Sequence, residues 1–156
     1  MSELTFKLIP HLACRNAAEA AKFYEKAFGA QVMCILNTPD GKVMHGAIKV
    51  GGNDIYLVDE FPDHGCVSPL ALGNTPVTLH LQVDDCDAVF NRAVEAGCTV
   101  KMPLQEMFWG DRYGHITDPY GHNWSIATTV KQVSMDDIQA AMSNMDVTGC
   151  PEPAAV

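Results

Sequence analysis

The chain has 156 residues, of which 47% are hydrophobic, and its formal net charge at pH 7 is −9. This length fits one domain or two small modules that share a core, and the hydrophobic content excludes a wholly disordered chain. The acidic balance, with no run of basic residues, argues against binding to a nucleic-acid backbone or to an anionic membrane surface.

The sequence also carries no sign of export. No segment holds the roughly twenty apolar residues of a membrane-spanning helix, and the first residues lack the basic and apolar parts of a signal peptide. The six cysteines form no CxxC pair and no disulfide-framework spacing. We therefore expect a cytoplasmic protein with reduced thiols and no membrane partner.

An internal repeat divides the chain into two similar units. The segment His11-Leu12-Ala13-Cys14 corresponds to His80-Leu81-Gln82-Val83, and Gly52 corresponds to Gly121, each at an offset of 69 residues. Turn residues and polarity that match at one fixed offset indicate a duplicated supersecondary unit. Each unit is predicted to fold as a strand, a helix and three further strands.

In the first unit, Asn16 is predicted to cap a helix that Gly29 ends in a left-handed conformation. Apolar runs and turn residues around this helix predict four strands. They lie at residues 6–13, 31–37, 42–50 and 55–58.

In the second unit, Asp85 is predicted to cap the helix and Gly97 to end it, 68 residues after Gly29. We expect a longer loop before Gly114 to restore the offset of 69. The strands of this unit are predicted at residues 77–83, 98–102, 112–117 and 123–128.

A long connection without periodicity joins the two units, and connections of this length often lie near a site. After the second unit, Ser134 is predicted to cap a short helix that continues to about Met145. The predicted organisation is a single domain at residues 1–130, with a first module at 4–59, a linker at 60–76 and a second module at 77–130, followed by a helix and flexible tail at 131–156.

Four strings carry a family resemblance: Ile9-Pro10-His11-Leu12, Phe23-Tyr24-Glu25-Lys26-Ala27-Phe28-Gly29-Ala30, Phe108-Trp109-Gly110-Asp111-Arg112-Tyr113-Gly114 and Asp118-Pro119-Tyr120-Gly121-His122-Asn123-Trp124. Together they resemble the PhnB-like branch of the vicinal oxygen chelate superfamily, which includes glyoxalase I, bleomycin-resistance proteins and extradiol dioxygenases. The resemblance implies an α+β fold in which two tandem βαβββ modules form a U-shaped, eight-stranded mixed sheet around a cavity. It also implies a homodimer.

The resemblance further implies where a metal would bind. In metal-dependent members, the first strand of each unit supplies a His and the fourth strand a Glu to one divalent ion. These positions fall on Ile9, Thr78, Tyr56 and Ser125, and none of these is a usual ligand of such an ion. We therefore expect that the standard metal centre is missing.

The leading hypothesis is a protein that binds a small organic molecule in the sheet cavity, with no assigned catalytic residue. The candidate ligand-binding residues are those expected at the cavity or its rim: His11, Tyr56, His80, Gln82, Trp109, Arg112 and Ser125. Arg112 has an alternative role as the partner of a surface carboxylate. Trp124 is expected to pack under a helix.

Two alternatives remain open. In the first, His11 and His80 bind Zn, Ni, Fe or Mn after a strand bulge, in a metal-dependent lyase, isomerase or dioxygenase. In the second, the protein sequesters a cationic antibiotic, which its negative charge would favour. His64 and His115 are given no role.

Overall fold

The computed structural model describes residues 5–145. Within these residues the helices are α1 (Ala17–Phe28), α2 (Pro69–Leu72), α3 (Cys86–Ala96) and α4 (Met135–Ser143), with a 3-10 turn at Pro62–His64. The strands are β1 (His11–Cys14), β2 (Gln31–Asn37), β3 (Val43–Val50), β4 (Asn53–Asp59), β5 (Thr78–Gln82), β6 (Thr99–Glu106), β7 (Asp111–Thr117) and β8 (Asn123–Thr129). None of these helices is long and apolar enough to cross a membrane.

The eight strands form two mixed sheets of four. The first sheet has the order β1-β4-β3-β2 and the second has the order β5-β8-β7-β6. In each sheet the first strand runs parallel to the fourth, and the remaining pairs are antiparallel. The predicted α+β fold and its two βαβββ modules are confirmed. Across the described residues, the ladders between strands stay within a module, so the eight strands are divided four and four.

Each sheet has one face covered by a helix and one open face. In β4, Ile55 and Leu57 are buried in the core, so the intervening Tyr56 points to the opposite face. In β8, Trp124 and Ile126 are likewise buried beneath the helices. Strand alternation then places Ser125 on the open face of the second sheet.

Asp118 joins the two modules on the helix side. Its carboxylate is 4% exposed and accepts hydrogen bonds from the Tyr24 hydroxyl at 2.6 Å and the Trp124 indole at 2.9 Å. Burial raises the pKa of Tyr24 well above its ordinary value, and the nearby Asp118 raises it further. The Trp124 ring packs 4.5 Å from the Phe28 ring, as predicted for a residue under a helix.

Strand β1 is shorter than the sequence predicts. It begins at His11 rather than at residue 6, because Pro10 has no N–H to donate to a strand ladder. Upstream of this proline, Phe6 and Leu8 are 85% and 93% exposed. The linker also differs from the expectation of an irregular connection, since it contains the 3-10 turn and α2.

The repeat regains its offset later than predicted. Gly46 pairs with Leu57, and Gly114 pairs with Ile126, so the two glycines are equivalent at an offset of 68. The extra residue therefore lies after Gly114, in the turn between β7 and β8. The expectation of a longer loop before Gly114 is wrong.

The caps follow the sequence closely. The side chains of Asn16 and Asp85 accept hydrogen bonds from backbone N–H groups at the starts of α1 and α3. Ser134 does the same for α4, with an N–O distance of 3.1 Å to the Asp137 amide. The predicted flexible tail after residue 145 lies outside the described residues.

Candidate functional site

A row of three polar side chains crosses the open face of the second sheet. Strand β8 lies between β5 and β7, and Ser125 is the register partner of His80 on one side and of His115 on the other. Because cross-strand partners lie on the same face, their side chains share the open face. Ser125 is 3% exposed, whereas His80 is exposed.

A chain of side-chain hydrogen bonds runs from Ser125 to the edge of this sheet. His80 Nδ1 lies 2.7 Å from Ser125 Oγ, and His80 Nε2 lies 2.9 Å from Gln82 Oε1. The Gln82 amide nitrogen donates to Thr129 Oγ1 at 2.9 Å, and the Thr129 hydroxyl donates to Asp111 Oδ1 at 2.8 Å. Both ring nitrogens of His80 are therefore engaged within the protein.

Aromatic rings border this hydrogen-bonded chain. The imidazole of His80 stacks on Tyr113 with a centroid distance of 6.1 Å and an interplanar angle of 16°. Trp109 meets Tyr113 edge-on at 5.8 Å, and its indole N–H donates to Asp111 Oδ2 at 3.1 Å. The structure thus brings the predicted residues His80 and Trp109 into one cluster.

Gly110 holds the loop that carries Trp109. Its φ angle is 103°, a backbone conformation that residues with a side chain rarely adopt. A Cβ atom there would collide with the carbonyl oxygen of Lys131. The Gly110 carbonyl accepts hydrogen bonds from the amides of Val130 and Lys131. This close backbone approach fixes Trp109 beside the edge of the sheet.

The open face of the first sheet has a different character. Tyr56 lies between two imidazoles, with its ring centroid 6.0 Å from that of His11 and 4.7 Å from that of His45, both edge-on. In the part of the chain that the structure describes, these three side chains make no side-chain hydrogen bond. The predicted residues His11 and Tyr56 therefore form a second, aromatic cluster.

Arg112 lies apart from both clusters. Its guanidinium donates to both carboxylate oxygens of Asp87, at 2.9 Å and 2.8 Å, at the start of α3. This hydrogen bonding lowers the pKa of Asp87 and raises that of Arg112. The side chain therefore lies on the helix-covered face and not at the rim of the ligand site. It has the alternative role, that of partner to a surface carboxylate.

Two cavities flank the seam between β1 and β5, and both are lined by Pro10 and Leu79. His80 borders a cavity of about 500 Å³ next to the segment that precedes β1. His11 borders one of about 400 Å³ beneath the linker. Of the seven predicted ligand-binding residues, only these two histidines line either cavity.

The sequence analysis missed His115. Its Nε2 is buried and has no hydrogen-bond partner among the described residues, although buried polar atoms are normally paired. It lies in the middle of β7 rather than near a loop. Alternation with the apolar Ile116 would have placed it on the open face.

The residues present do not fit the divalent-metal centre that the resemblance implies. Beside each first-strand histidine stands a neutral hydroxyl, from Tyr56 or from Ser125, in place of a carboxylate. Residues 5–145 contain no group of three or more His, Cys, Asp or Glu side chains arranged to hold a metal ion. The side chains beside His80 that could act as ligands, Ser125 and Gln82, already form hydrogen bonds with its two ring nitrogens.

Comparisons with known proteins agree with this fold. The sequence model of the Glyoxalase/Bleomycin resistance protein/Dioxygenase superfamily matches residues 8–126. An uncharacterized protein of Mycobacterium bovis is 47% identical over 140 residues, which cover 88% of this chain and 92% of that relative. Protein YjdN of Escherichia coli is 27% identical over 146 residues, covering 80% and 96%. The chain belongs to the Glyoxalase/Bleomycin resistance protein/Dioxygenase superfamily.

Solved structures show the same fold. TioX from Micromonospora matches with a TM-score of 0.63 and 24% identity, covering 80% of this chain and 99% of TioX. The PhnB protein of Bacillus cereus matches with a TM-score of 0.63 and 21% identity, covering 79% and 99%. PhnB-like proteins are thus among the structural neighbours.

Proposed function

We propose that this protein binds a small organic molecule on the open face of its second sheet, without the standard divalent-metal centre of its superfamily. The observation that carries this proposal is the cluster of His80, Gln82, Ser125 and Trp109. Fixed polar groups beside flat aromatic walls are typical of small-molecule sites. In this cluster the metal-ligand position of β8 is a serine that bonds the neighbouring imidazole.

The surroundings of the cluster favour an uncharged ligand. Arg112, the cation of β7, is held by Asp87 on the other face of the sheet, so it does not offer a partner to an anionic ligand. The two oxygens of Asp111 already accept hydrogen bonds from Thr129 and Trp109. A cationic ligand would have to share these oxygens with Thr129 and Trp109, apart from the attraction of the overall charge of −9.

The same proposal includes a cytoplasmic homodimer. Exposed apolar side chains lie on β2 and β3, where Met33, Leu36 and Met44 are 54%, 57% and 55% exposed. A second copy would cover such a surface. Sedimentation velocity of the full chain checks the dimer, and a sedimentation coefficient of a 17 kDa monomer at micromolar concentration would contradict it.

A fragment screen by thermal shift and NMR tests the ligand site. Small neutral aromatic compounds that bind wild-type protein should bind His80→Ala and Trp109→Ala at least tenfold more weakly. Arg112→Ala is the matched control, because it alters the same sheet on the opposite face and should leave affinity unchanged. Equal affinity for wild type and His80→Ala, or loss of binding in Arg112→Ala, would overturn the proposal.

A panel of cationic glycopeptides belongs in the same screen, since it addresses antibiotic sequestration directly. If those compounds raise the melting temperature and the neutral fragments do not, the ligand class proposed above is wrong.

A further inference from the structure

We propose that His80 is locked at both ring nitrogens in the tautomer that carries its hydrogen on Nε2, and that the ligand of this face therefore presents a neutral hydrogen-bond acceptor such as a carbonyl oxygen. The ligand half of this inference rests on the proposed function. The tautomer half depends only on hydrogen bonds within the chain.

The exposed end of the hydrogen-bond chain determines the protonation state of His80 Nε2. An ionised carboxylate only accepts, so the Thr129 hydroxyl points its hydrogen at Asp111. Thr129 Oγ1 then accepts from the Gln82 amide nitrogen, which turns Gln82 Oε1 toward the imidazole. Because that amide oxygen is an acceptor, His80 Nε2 at 2.9 Å must carry a hydrogen.

The buried end independently determines the protonation state of His80 Nδ1. Ser125 is 3% exposed, and among the described residues the only hydrogen-bond partner of its hydroxyl is His80 Nδ1, at 2.7 Å. A buried hydroxyl hydrogen without an acceptor is unfavourable. Ser125 therefore donates to Nδ1, which must be the unprotonated nitrogen of a neutral ring. Both ends require the same tautomer.

The lock sets what a ligand can do at His80. Gln82 is exposed, so its side chain can move aside and leave the Nε2–H group free to donate to a ligand. A planar molecule with a carbonyl oxygen would accept that hydrogen bond while lying against Trp109 or Tyr113. Specificity for an acceptor then originates at Ser125, whose hydroxyl still donates to His80 Nδ1 when Gln82 has moved.

The same lock opposes metal binding at His80. A metal ion at Nε2 needs the lone pair of that nitrogen, so the hydrogen would have to move to Nδ1. Ser125 would then face an N–H group and its own hydrogen would lose its acceptor. Both the residue types and the protonation of His80 at Nε2 therefore oppose a divalent-metal centre.

The tautomer is measured by long-range ¹H–¹⁵N NMR correlation of histidine-labelled full-length protein without ligand. His80 should show the Nε2–H pattern alone, whereas His11, which has no such partners among residues 5–145, should show a tautomer mixture. Ser125→Ala and Thr129→Val should each keep the pattern, because one end of the hydrogen-bond chain still determines the tautomer. The double variant should become a mixture.

Two outcomes would overturn the lock. One is an Nδ1–H or mixed pattern for His80 in the wild type. The other is an unchanged Nε2–H pattern in the double variant when its remaining amide signals show an intact fold.

Three planar probes of similar size then test the ligand class: benzamide, benzoate and benzamidine. Benzamide, the neutral carbonyl probe, should shift the His80 signals at a concentration at least tenfold lower than the anion or the cation. Zn²⁺ at one equivalent should leave the His80 signals unchanged. Equal or stronger effects of the charged probes, or of Zn²⁺, would overturn the ligand class. If the lock is present but no probe perturbs His80, the ligand half and the proposed function both fail and the lock stands.

Discussion

The two modules fill equivalent positions on their open faces in opposite ways. Tyr56 and Ser125 each lie beside a first-strand histidine, His11 in one case and His80 in the other. In the first module the tyrosine ring packs edge-on against imidazoles, and in the second the small hydroxyl leaves space for a hydrogen bond to one. The duplication kept the frame of the sheet, while the open face, which none of the described helices covers, diverged.

The helix-covered side differs between the modules as well. The turn between β7 and β8 is one residue longer than the turn between β3 and β4, as the register of Ile116 with Trp124 and of Ile48 with Ile55 shows. This longer turn begins at Asp118, whose carboxylate holds groups from both modules. The second module thus provides both the polar cluster and the residue that joins the halves.

Replacing Asp118 should have the largest effect. Asp118→Ala leaves the buried Tyr24 hydroxyl and Trp124 indole without an acceptor, so we expect the free energy of unfolding to fall by about 3–4 kcal/mol. Urea denaturation measures this change. Asp54→Ala, in the first module, is the control, because it removes only solvent-screened pairs, with Lys49 and with Lys7. Equal losses in the two variants would show that Asp118 does not join the modules as argued.

Exchanging the two diverged side chains should have an intermediate effect. Ser125→Tyr places a ring where the native side chain is 3% exposed, and such overpacking costs about 1–3 kcal/mol. It should also remove the hydrogen bond to His80 and the ligand response of the second sheet. The reciprocal change, Tyr56→Ser, should cost about 1 kcal/mol through lost aromatic packing and leave the His80 NMR signals unchanged.

Melting curves and the histidine NMR spectrum check both exchange variants. A His80 signal that keeps its wild-type position in Ser125→Tyr would mean that the open faces do not differ in the way the contacts indicate.

Local signals in the sequence predicted most of the fold. The caps Asn16 and Asp85 and the position of Trp124 under a helix follow from residue type and spacing over a few residues. The start of β1 was missed because apolar residues continue through Pro10, which cannot donate to the ladder. The single-residue shift of the repeat was placed wrongly because only strand pairing shows where Gly114 lies.

The site was harder to predict than the fold. The repeat correctly placed His80 and Ser125 on one face, since period-two alternation needs no tertiary information. Thr129 and Asp111 belong to the cluster only through contacts between strands, which no spacing along the chain reveals. Alternation with buried Ile116 could have assigned Arg112 to the helix-covered face.

The smallest expected effect concerns a property that the modules share. Cys14 in the first module and Cys98 in the second are both buried, and burial raises the pKa of each thiol above its ordinary value of 9.0, to about 12 for Cys98. Since the folded pKa is the higher one, the stabilising contribution is complete below about pH 9 and is lost as pH rises toward the folded pKa. At pH 10 the loss should be on the order of 1 kcal/mol for each thiol.

Urea denaturation between pH 7 and pH 10 should therefore show stability falling on the alkaline side. Cys14→Ala and Cys98→Ala should each flatten this fall by the same amount, although Asp118 adds negative charge near both thiols and Asp59 only near Cys14. The reason is that at pH 10 the loss depends on ionisation of the unfolded thiol, while both folded thiols stay protonated. Unequal flattening would mean that the modules differ in their buried cores as well as on their open faces.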